Sequence, residues 1–256
     1  MGLRTKIKKF LYTRKFSKKK YLTNINKKNI LITGANSGIG LALTKRLLEL
    51  DNKVLATYRE SSENLKTIKD NNLSIVKYDQ REINKSENFE EKIKETSIDL
   101  ILNCAGVFGA ASFEDQQIER LDFKKFQEVL MVNSVSILKI MQIILNNKLS
   151  EKNLEILVNI SSDAGSIGLN NQGNAYIYRT SKTALNSITK NMSIDLMSRF
   201  KTIVFAVDPG NVQSGMNPGG QLKADVCANL IINLLSSNVQ LLNGKFVNLL
   251  GEEIAW

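Results

Sequence analysis

The sequence predicts an α/β fold, a doubly wound parallel β-sheet of about seven strands with helices on both faces. Three observations lead there. Short apolar runs of strand length recur at 30–33, 54–57, 74–77, 98–103, 154–160, 202–207 and 245–249. Helix-length segments at 38–50, 84–96, 122–147, 176–199 and 222–236 lie between most of them. A glycine-rich turn joins the first run to the first helical segment, and polar residues of ligand-binding type follow the runs at their carboxyl ends, where open sheets of this kind hold ligands. At 256 residues, with no internal repeat and no linker, the chain suits one domain over 29–256 behind a basic leader at 1–28.

The first run, Asn29-Ile30-Leu31-Ile32-Thr33, enters Gly34-Ala35-Asn36-Ser37-Gly38-Ile39-Gly40 and then the helical pattern Leu41 to Leu50. Glycine lets the backbone turn tightly and approach a ligand with no Cβ in the way. A helix that starts there offers unpaired N–H groups and a positive dipole end to a pyrophosphate. The spacing is Gly-x3-Gly-x-Gly rather than Gly-x-Gly-x2-Gly. A plain strand-to-helix turn is the bland alternative, but the flanking strand and helix favour nucleotide binding.

The second run, Lys53 to Tyr58, ends about twenty residues beyond the glycines, where dinucleotide-binding folds discriminate between their cofactors. No carboxylate stands at Thr57 or Tyr58, and Arg59 follows. Arginine matches phosphate geometry, so NADP (NADPH) is favoured over NAD, with Glu60 able to blunt the preference. Asp79-Gln80 follows the third run, a place for adenine contacts.

Tyr178 and Lys182 lie four residues apart on a predicted helix and share a face. A phenol with a pKa of about 10 is a poor acid or base near neutrality. A neighbouring ammonium lowers that value and equips the pair to exchange a proton with a carbonyl or alcohol. The same spacing also occurs on ordinary surface helices, so the pair gains weight only from its context. Tyr176 has Thr180 in place of a lysine and reads as a pocket wall.

Taken together, these motifs resemble the short-chain dehydrogenase/reductase family, in its single-domain form with a Rossmann fold, from about residue 29 onward. Its glycine motif is matched by Thr33 to Gly40. Its Asn-Asn-Ala-Gly motif resembles Asn103-Cys104-Ala105-Gly106, with cysteine replacing the second asparagine. Asn133 matches its helix asparagine, Ser162 its serine, Tyr178 and Lys182 its Tyr-x3-Lys pair, and Pro209-Gly210 its Pro-Gly, with Val212 just beyond. The loop Gly165 to Asn171 and the ending Gly244 to Trp256 look like those of the C-factor-like, sniffer-like carbonyl reductases.

The resemblance implies an NADP-dependent oxidoreductase that moves a hydride between nicotinamide and a small carbonyl or alcohol substrate. Tyr178 would donate or accept the proton, Lys182 would lower its pKa, Ser162 would hold the carbonyl oxygen, and Asn133 would fix a water joining Lys182 to solvent. Ser161 and Ser162 both remain candidates on the strand, with family spacing favouring Ser162. A catalytically idle nucleotide-binding signalling or scaffold protein is the alternative, although it would need only the glycine turn. The long apolar segments 122–147 and 176–199 resemble the helices through which the family forms dimers or tetramers.

Composition excludes several other classes. There is no histidine and there are two scattered cysteines, Cys104 and Cys227, so neither a metal site nor a disulfide framework is expected. Cys104 reads as a small core residue at a strand end. The chain has 35 basic and 25 acidic residues, and eleven of the basic ones lie in 1–28 without an acid among them. The remainder is nearly neutral, which gives no reason to invoke nucleic acid. Residues 1–20 of the leader fit weak contact with an anionic membrane surface, an organelle transit peptide or a solvated arm. A cytoplasmic location is the simplest expectation. The loop after the sixth run, with Pro209, Pro218, Gly215, Gly219 and Gly220, is read as a substrate lid.

Overall fold

The structure is a computed structural model that describes residues 25–110, 112, 114–146 and 154–256. The expected roles of the leader fall mostly on residues outside that set. Seven strands form one sheet: β1 (Asn29–Thr33), β2 (Lys53–Tyr58), β3 (Leu73–Lys77), β4 (Leu100–Asn103), β5 (Ile156–Ile160), β6 (Ile203–Asp208) and β7 (Phe246–Asn248). Their order is β3-β2-β1-β4-β5-β6-β7, and every neighbouring pair is parallel. The chain winds outward from β1 to β3, then returns to place β4 on the other side of β1. That reversal opens a crevice at the carboxyl ends of β1 and β4.

Parallel strands are covered on both faces, so their residues are apolar in succession rather than alternately. Ile30 and Ile32 of β1, Val158 of β5 and Phe205 of β6 point to one face and pack with Leu43 and Leu47 of α1 (Gly38–Leu48). Ile231 and Leu234 join them from a helix over Ala224–Ser236 near the carboxyl end of the chain. Leu31, Ile101, Leu157 and Val204 point to the other face, against Phe89, Ile93, Ile137, Ile140 and Leu185. The helices that supply those side chains are α3 (Glu87–Lys94), α4 (Phe123–Leu145) and α5 (Tyr176–Phe200), with Ala224–Ser236 now numbered α6. A short α2 (Glu63–Lys66), which the apolar pattern does not show, lies between β2 and β3.

α4 is 23 residues long and apolar enough to cross a bilayer by length and composition, but its apolar side belongs to the core. It passes through a π turn at Met131–Val135.

Residues just ahead of Asn29 also pack on the fold. Ile25 is buried in the core, and its carbonyl accepts from Asn52 Nδ2 at 3.1 Å. Lys27 N donates to Asp51 O, and Lys28 pairs with Glu155 at 2.6 Å. A single apolar residue in a basic run leaves no periodic pattern to read. At the other end, the two segments that suggested the subgroup touch each other. Ile167 N and Gly168 N donate to Trp256 O at 3.1 and 3.0 Å, and Ser166 Oγ donates to Ala255 O at 2.6 Å.

Candidate active site

A cleft of about 830 Å³ opens at the carboxyl ends of the strands. It brings together Gly34, Asn36, Ser37, Gly38, Ile39, Gly40, Arg59, Asp79, Gln80, Ala105, Gly106, Ser162, Tyr178, Lys182, Pro209, Gly210 and Val212. Asn103 and Asn133 are the two expected site residues that do not line it.

At the nucleotide end the glycines are dictated by space. Gly34 has φ +62°, and a Cβ there would lie 2.8 Å from Ala105 Cα. A Cβ on Gly40 would collide with the Gly34 carbonyl oxygen. The first intrahelical bond of α1 runs from Leu41 N to Ser37 O, so the amides of Gly38, Ile39 and Gly40 have no partner within the helix. Ser37 makes no side-chain cap and the first turn carries no acid. These amides border the cleft and suit an anion.

Arg59 lines the same end, with Glu60 Oε1 at 3.0 Å from its Nε. Arg81 sits close by, bonded to Asp79 at 2.6 Å and 4.0 Å from Glu60. Burial alone would push the Asp79 carboxyl up. Hydrogen bonds and charge from Arg81, with Arg59 adding, outweigh that and hold it below its usual range. Gln80, though on the cleft wall, donates to Ser136 Oγ on α4 at 2.7 Å.

Asn103 belongs to a buried polar chain under the cleft floor. Thr33 Oγ1 donates to Asn103 Oδ1 at 2.8 Å and accepts from Ala105 N at 3.0 Å. Asn103 Nδ2 donates to Asn159 Oδ1 at 2.8 Å, and Asn159 Nδ2 donates to Thr189 Oγ1 at 2.9 Å. The register pairs Thr33 with Asn103 and Asn103 with Asn159, so the chain ties the ends of β1, β4 and β5 together. A half-satisfied group here would cost about 1–3 kcal/mol, which makes the set mutually dependent.

Asn133 holds the backbone on the other side of this floor. It stands in the π turn of α4, a device that re-aims one side chain out of the regular helical register. Its Oδ1 accepts from Val107 N, and its Nδ2 donates to Val107 O and to Ser181 Oγ, all within 2.8–2.9 Å. Ser181 Oγ in turn donates to Tyr178 O at 2.7 Å. Asn133 therefore positions the backbone around Gly106 and Tyr178 and makes no direct hydrogen bond to Lys182.

The reactive end is built from β5 and α5. Ser161 is buried and donates to Asn186 Oδ1 at 2.6 Å, whereas Ser162 lines the cleft with its hydroxyl beside that of Tyr178 and donates to Asp163 Oδ1 at 3.1 Å. Both follow the end of β5 in extended backbone, where neighbours point to opposite sides, which separates the two serines. Ser162 Oγ also accepts from Ala164 N at 3.1 Å, a bond that fixes its orientation. Lys182 is buried, donates to Ile160 O at 2.8 Å, and lies 5.9 Å from the Tyr178 ring centre.

The expected lowering of the Tyr178 pKa is not what the protein surroundings produce. Close packing pushes the phenol up to about 12, with the Ser162 hydrogen bond acting the other way and Asp208 and Asp163 adding to the rise. The same desolvation pulls Lys182 down to about 8. Burial penalises a phenolate and an ammonium alike, and it is the largest influence on both groups. At neutral pH Tyr178 therefore holds its proton and Lys182 is still mostly charged.

Two more wall residues matter. Cys104 packs against the core, as expected, and also borders the cleft; burial pushes its thiol up to about 12. The Phe108 ring leans on Tyr178 with centres 5.2 Å apart. Only its place after the Asn-Cys-Ala-Gly turn could have drawn attention to Phe108. The loop after β6 closes on itself through Gln213 N to Leu222 O and Leu222 N to Asn211 O, and its residues Asn211, Ser214 and Met216 wall the cleft.

Comparison with known proteins places this site. The chain is 28% identical over 161 residues to the C-signal of Myxococcus xanthus, covering 62% of this chain and 93% of that protein. It is 29% identical over 198 residues to the L-rhamnose 1-dehydrogenase (NADP(+)) of Thermoplasma acidophilum, covering 74% of each. The fold superposes on the carbonyl reductase Sniffer of D. melanogaster with a TM-score of 0.80 and 27% identity, over 90% of this chain and 100% of that one. The family model for short chain dehydrogenases matches residues 28–223. With its glycine turn, Ser162, Tyr178 and Lys182 on one cleft of that fold, the chain belongs to the short-chain dehydrogenase family of oxidoreductases.

Proposed function

We propose that the protein is an NADPH-dependent carbonyl reductase in which Tyr178 is the proton donor. One observation carries the reading: the Tyr178 hydroxyl lies beside Ser162 in the cleft that also holds the glycine turn, with the Lys182 ammonium 5.9 Å from the Tyr178 ring centre. A nicotinamide cofactor supplies the hydride when bound. The glycine cradle and the unpartnered amides of α1 suit its pyrophosphate, and Arg59 suits a 2′-phosphate. An NADP-dependent relative and a carbonyl reductase of the same fold support both choices.

The protein groups then act on the carbonyl. Ser162 donates a hydrogen bond to its oxygen and stabilises the charge that develops there. Tyr178, protonated at neutral pH, gives its proton to the nascent alkoxide. Lys182 lies close enough to lessen the cost of the phenolate left behind. Val107, Phe108, Ala110 and Met216 make the substrate end largely apolar, which favours a small or medium uncharged carbonyl compound. A cytoplasmic homo-oligomer is the form in which we expect it to work.

The test is carbonyl-dependent loss of NADPH absorbance by the purified protein, repeated with Tyr178→Phe. Loss of at least about 100-fold in turnover with cofactor affinity nearly unchanged is expected. Retained turnover in that variant would remove the proton-transfer assignment.

A further inference from the structure

We propose that Gln116, at the end of a short 3-10 turn (Glu114–Gln116) beside the substrate end of the cleft, caps the catalytic helix from outside and sets the position of Tyr178. The proposal rests on the reading of Tyr178 as proton donor. A helix leaves its first amides without acceptors of its own. In α5 the bond from Arg179 N to Ala175 O, 2.9 Å, comes first, so Tyr176, Ile177 and Tyr178 must look elsewhere. Usually a Ser, Thr, Asp or Asn at the N-cap accepts from the third of these amides. Here the N-cap is Ala175, which has no side-chain acceptor. It also sits in the left-handed region at φ +49°, after Asn174 at +56° and Gly173 at +62°. Three such residues in a row aim the chain into α5 at the cost of the ordinary capping arrangement.

Gln116 supplies the missing acceptor across a separation of 62 residues. Its Oε1 accepts from Tyr178 N at 2.8 Å, and its Nε2 donates to Phe108 O at 2.8 Å. The residue is 0% exposed, so water does not readily replace either partner. The ring of Phe108 already leans on that of Tyr178. One amide therefore joins the backbone of the substrate wall to the backbone of the proton donor, and the two are held as a unit. Gln116 touches no reacting atom; it is a positioning residue.

The experiment compares the full chain with Gln116→Met, Gln116→Glu and Tyr178→Phe. Amide hydrogen exchange and NADPH-dependent reduction of benzil, an uncharged diketone, are followed side by side. Methionine removes both bonds at similar volume. Exchange across 176–182 should quicken roughly five- to thirtyfold, the effect of one lost cap. Exchange in α1 and the Kd for NADPH should stay within about twofold, because those sites share no partner with Gln116. The kcat for benzil should fall with the change at 176–182 while the KM for NADPH holds. Glutamate keeps an acceptor for the Tyr178 amide and suits a helix N-terminus, but loses the amide that bonds Phe108 O. It should restore slow exchange and most of kcat while raising the KM for benzil.

Unchanged exchange at 176–182 in Gln116→Met would overturn the proposal. A uniform loss across α1, NADPH binding and kcat would do the same, since that marks a residue needed only for folding. A glutamate variant as impaired as methionine would assign the effect to Phe108 and also overturn it. Exchange is read without turnover, so a Tyr178→Phe protein that still reduces benzil removes the catalytic reading alone.

Discussion

Replacing Lys182 with methionine should change how stability depends on pH, and the structure sets both the sign and the size. Lys182 is 4% exposed, forms no ion pair among the described residues, and keeps one hydrogen bond, to Ile160 O at 2.8 Å. Burial lowers its pKa from 10.5 in the open chain to about 8 in the fold. Between those values the unfolded chain holds the proton and the folded one does not, so stability rises with pH across that window. Below it, where both states are charged, burying the ammonium costs about 3 kcal/mol. Methionine removes that cost but leaves the Ile160 carbonyl unbonded, for about 1–3 kcal/mol, so the two proteins should be similarly stable near neutrality.

The decisive quantity is how their difference moves. From about pH 7 to about pH 9.5 the native chain should gain about 2 kcal/mol over Lys182→Met. Tyr178 works in the opposite direction, because its folded pKa is about 12 against an ordinary 10.0, and unfolding is favoured once the open chain ionises. Its contribution is largely common to both proteins and enters mainly above that window. Urea unfolding at constant ionic strength across the range is the assay. A flat difference would refute the buried, depressed ammonium. A difference moving against the native chain would show that Lys182 is paired with a buried anion, and the reading of the reactive end would have to be rebuilt.

Arg59→Ala should weaken NADPH roughly 10- to 150-fold, the worth of one charge-assisted contact, and leave NADH alone; equal loss for both in a binding titration removes the 2′-phosphate reading. Glu60→Ala frees the Arg59 guanidinium from a partner 3.0 Å away and should tighten NADPH selectively, by the same titration. Deleting residues 1–24 should leave melting and activity as they are. Deleting 1–28 removes the buried Ile25 and the Lys28–Glu155 pair and should cost roughly 2–4 kcal/mol, seen as a lower urea midpoint.

The fold was readable because its cause is repeated along the chain. Each strand is a short apolar run covered on both faces, and that run is visible without knowing its partners. The glycine turn was equally open, since Gly34 and Gly40 are required by collisions with Ala105 and with the turn itself. The short α2 buries only Leu65 and leaves no periodic stripe. Ile25 joins the core as one apolar residue among lysines and asparagines, so its packing leaves no pattern to read.

Within the site, residues whose function is fixed by a spacing were legible, and those whose function is fixed by a contact were not. Tyr178 and Lys182 are one helical turn apart, and Ser162 follows the end of β5 by two residues, so local geometry nearly determines where they point. Asn103 and Asn133 were found by the same motif logic, but the buried bonds each makes within the protein were not readable from it. The sequence shows an amide at each place; it cannot show whether that amide faces a cleft or closes a buried chain between strands. The pKa of Tyr178 failed for a related reason. A lysine four residues away predicts attraction, but desolvation depends on every segment packed around the pair, and that sum pushed the phenol upward. Gln116 is the limiting case. In a loop of mixed polar residues it has no spacing, no periodicity and no partner nearer than Phe108, yet its amide bonds the backbone of Tyr178. A helix capped from a distant loop makes the loop part of the catalytic element, so changes to the substrate wall should act on turnover as well as on substrate affinity.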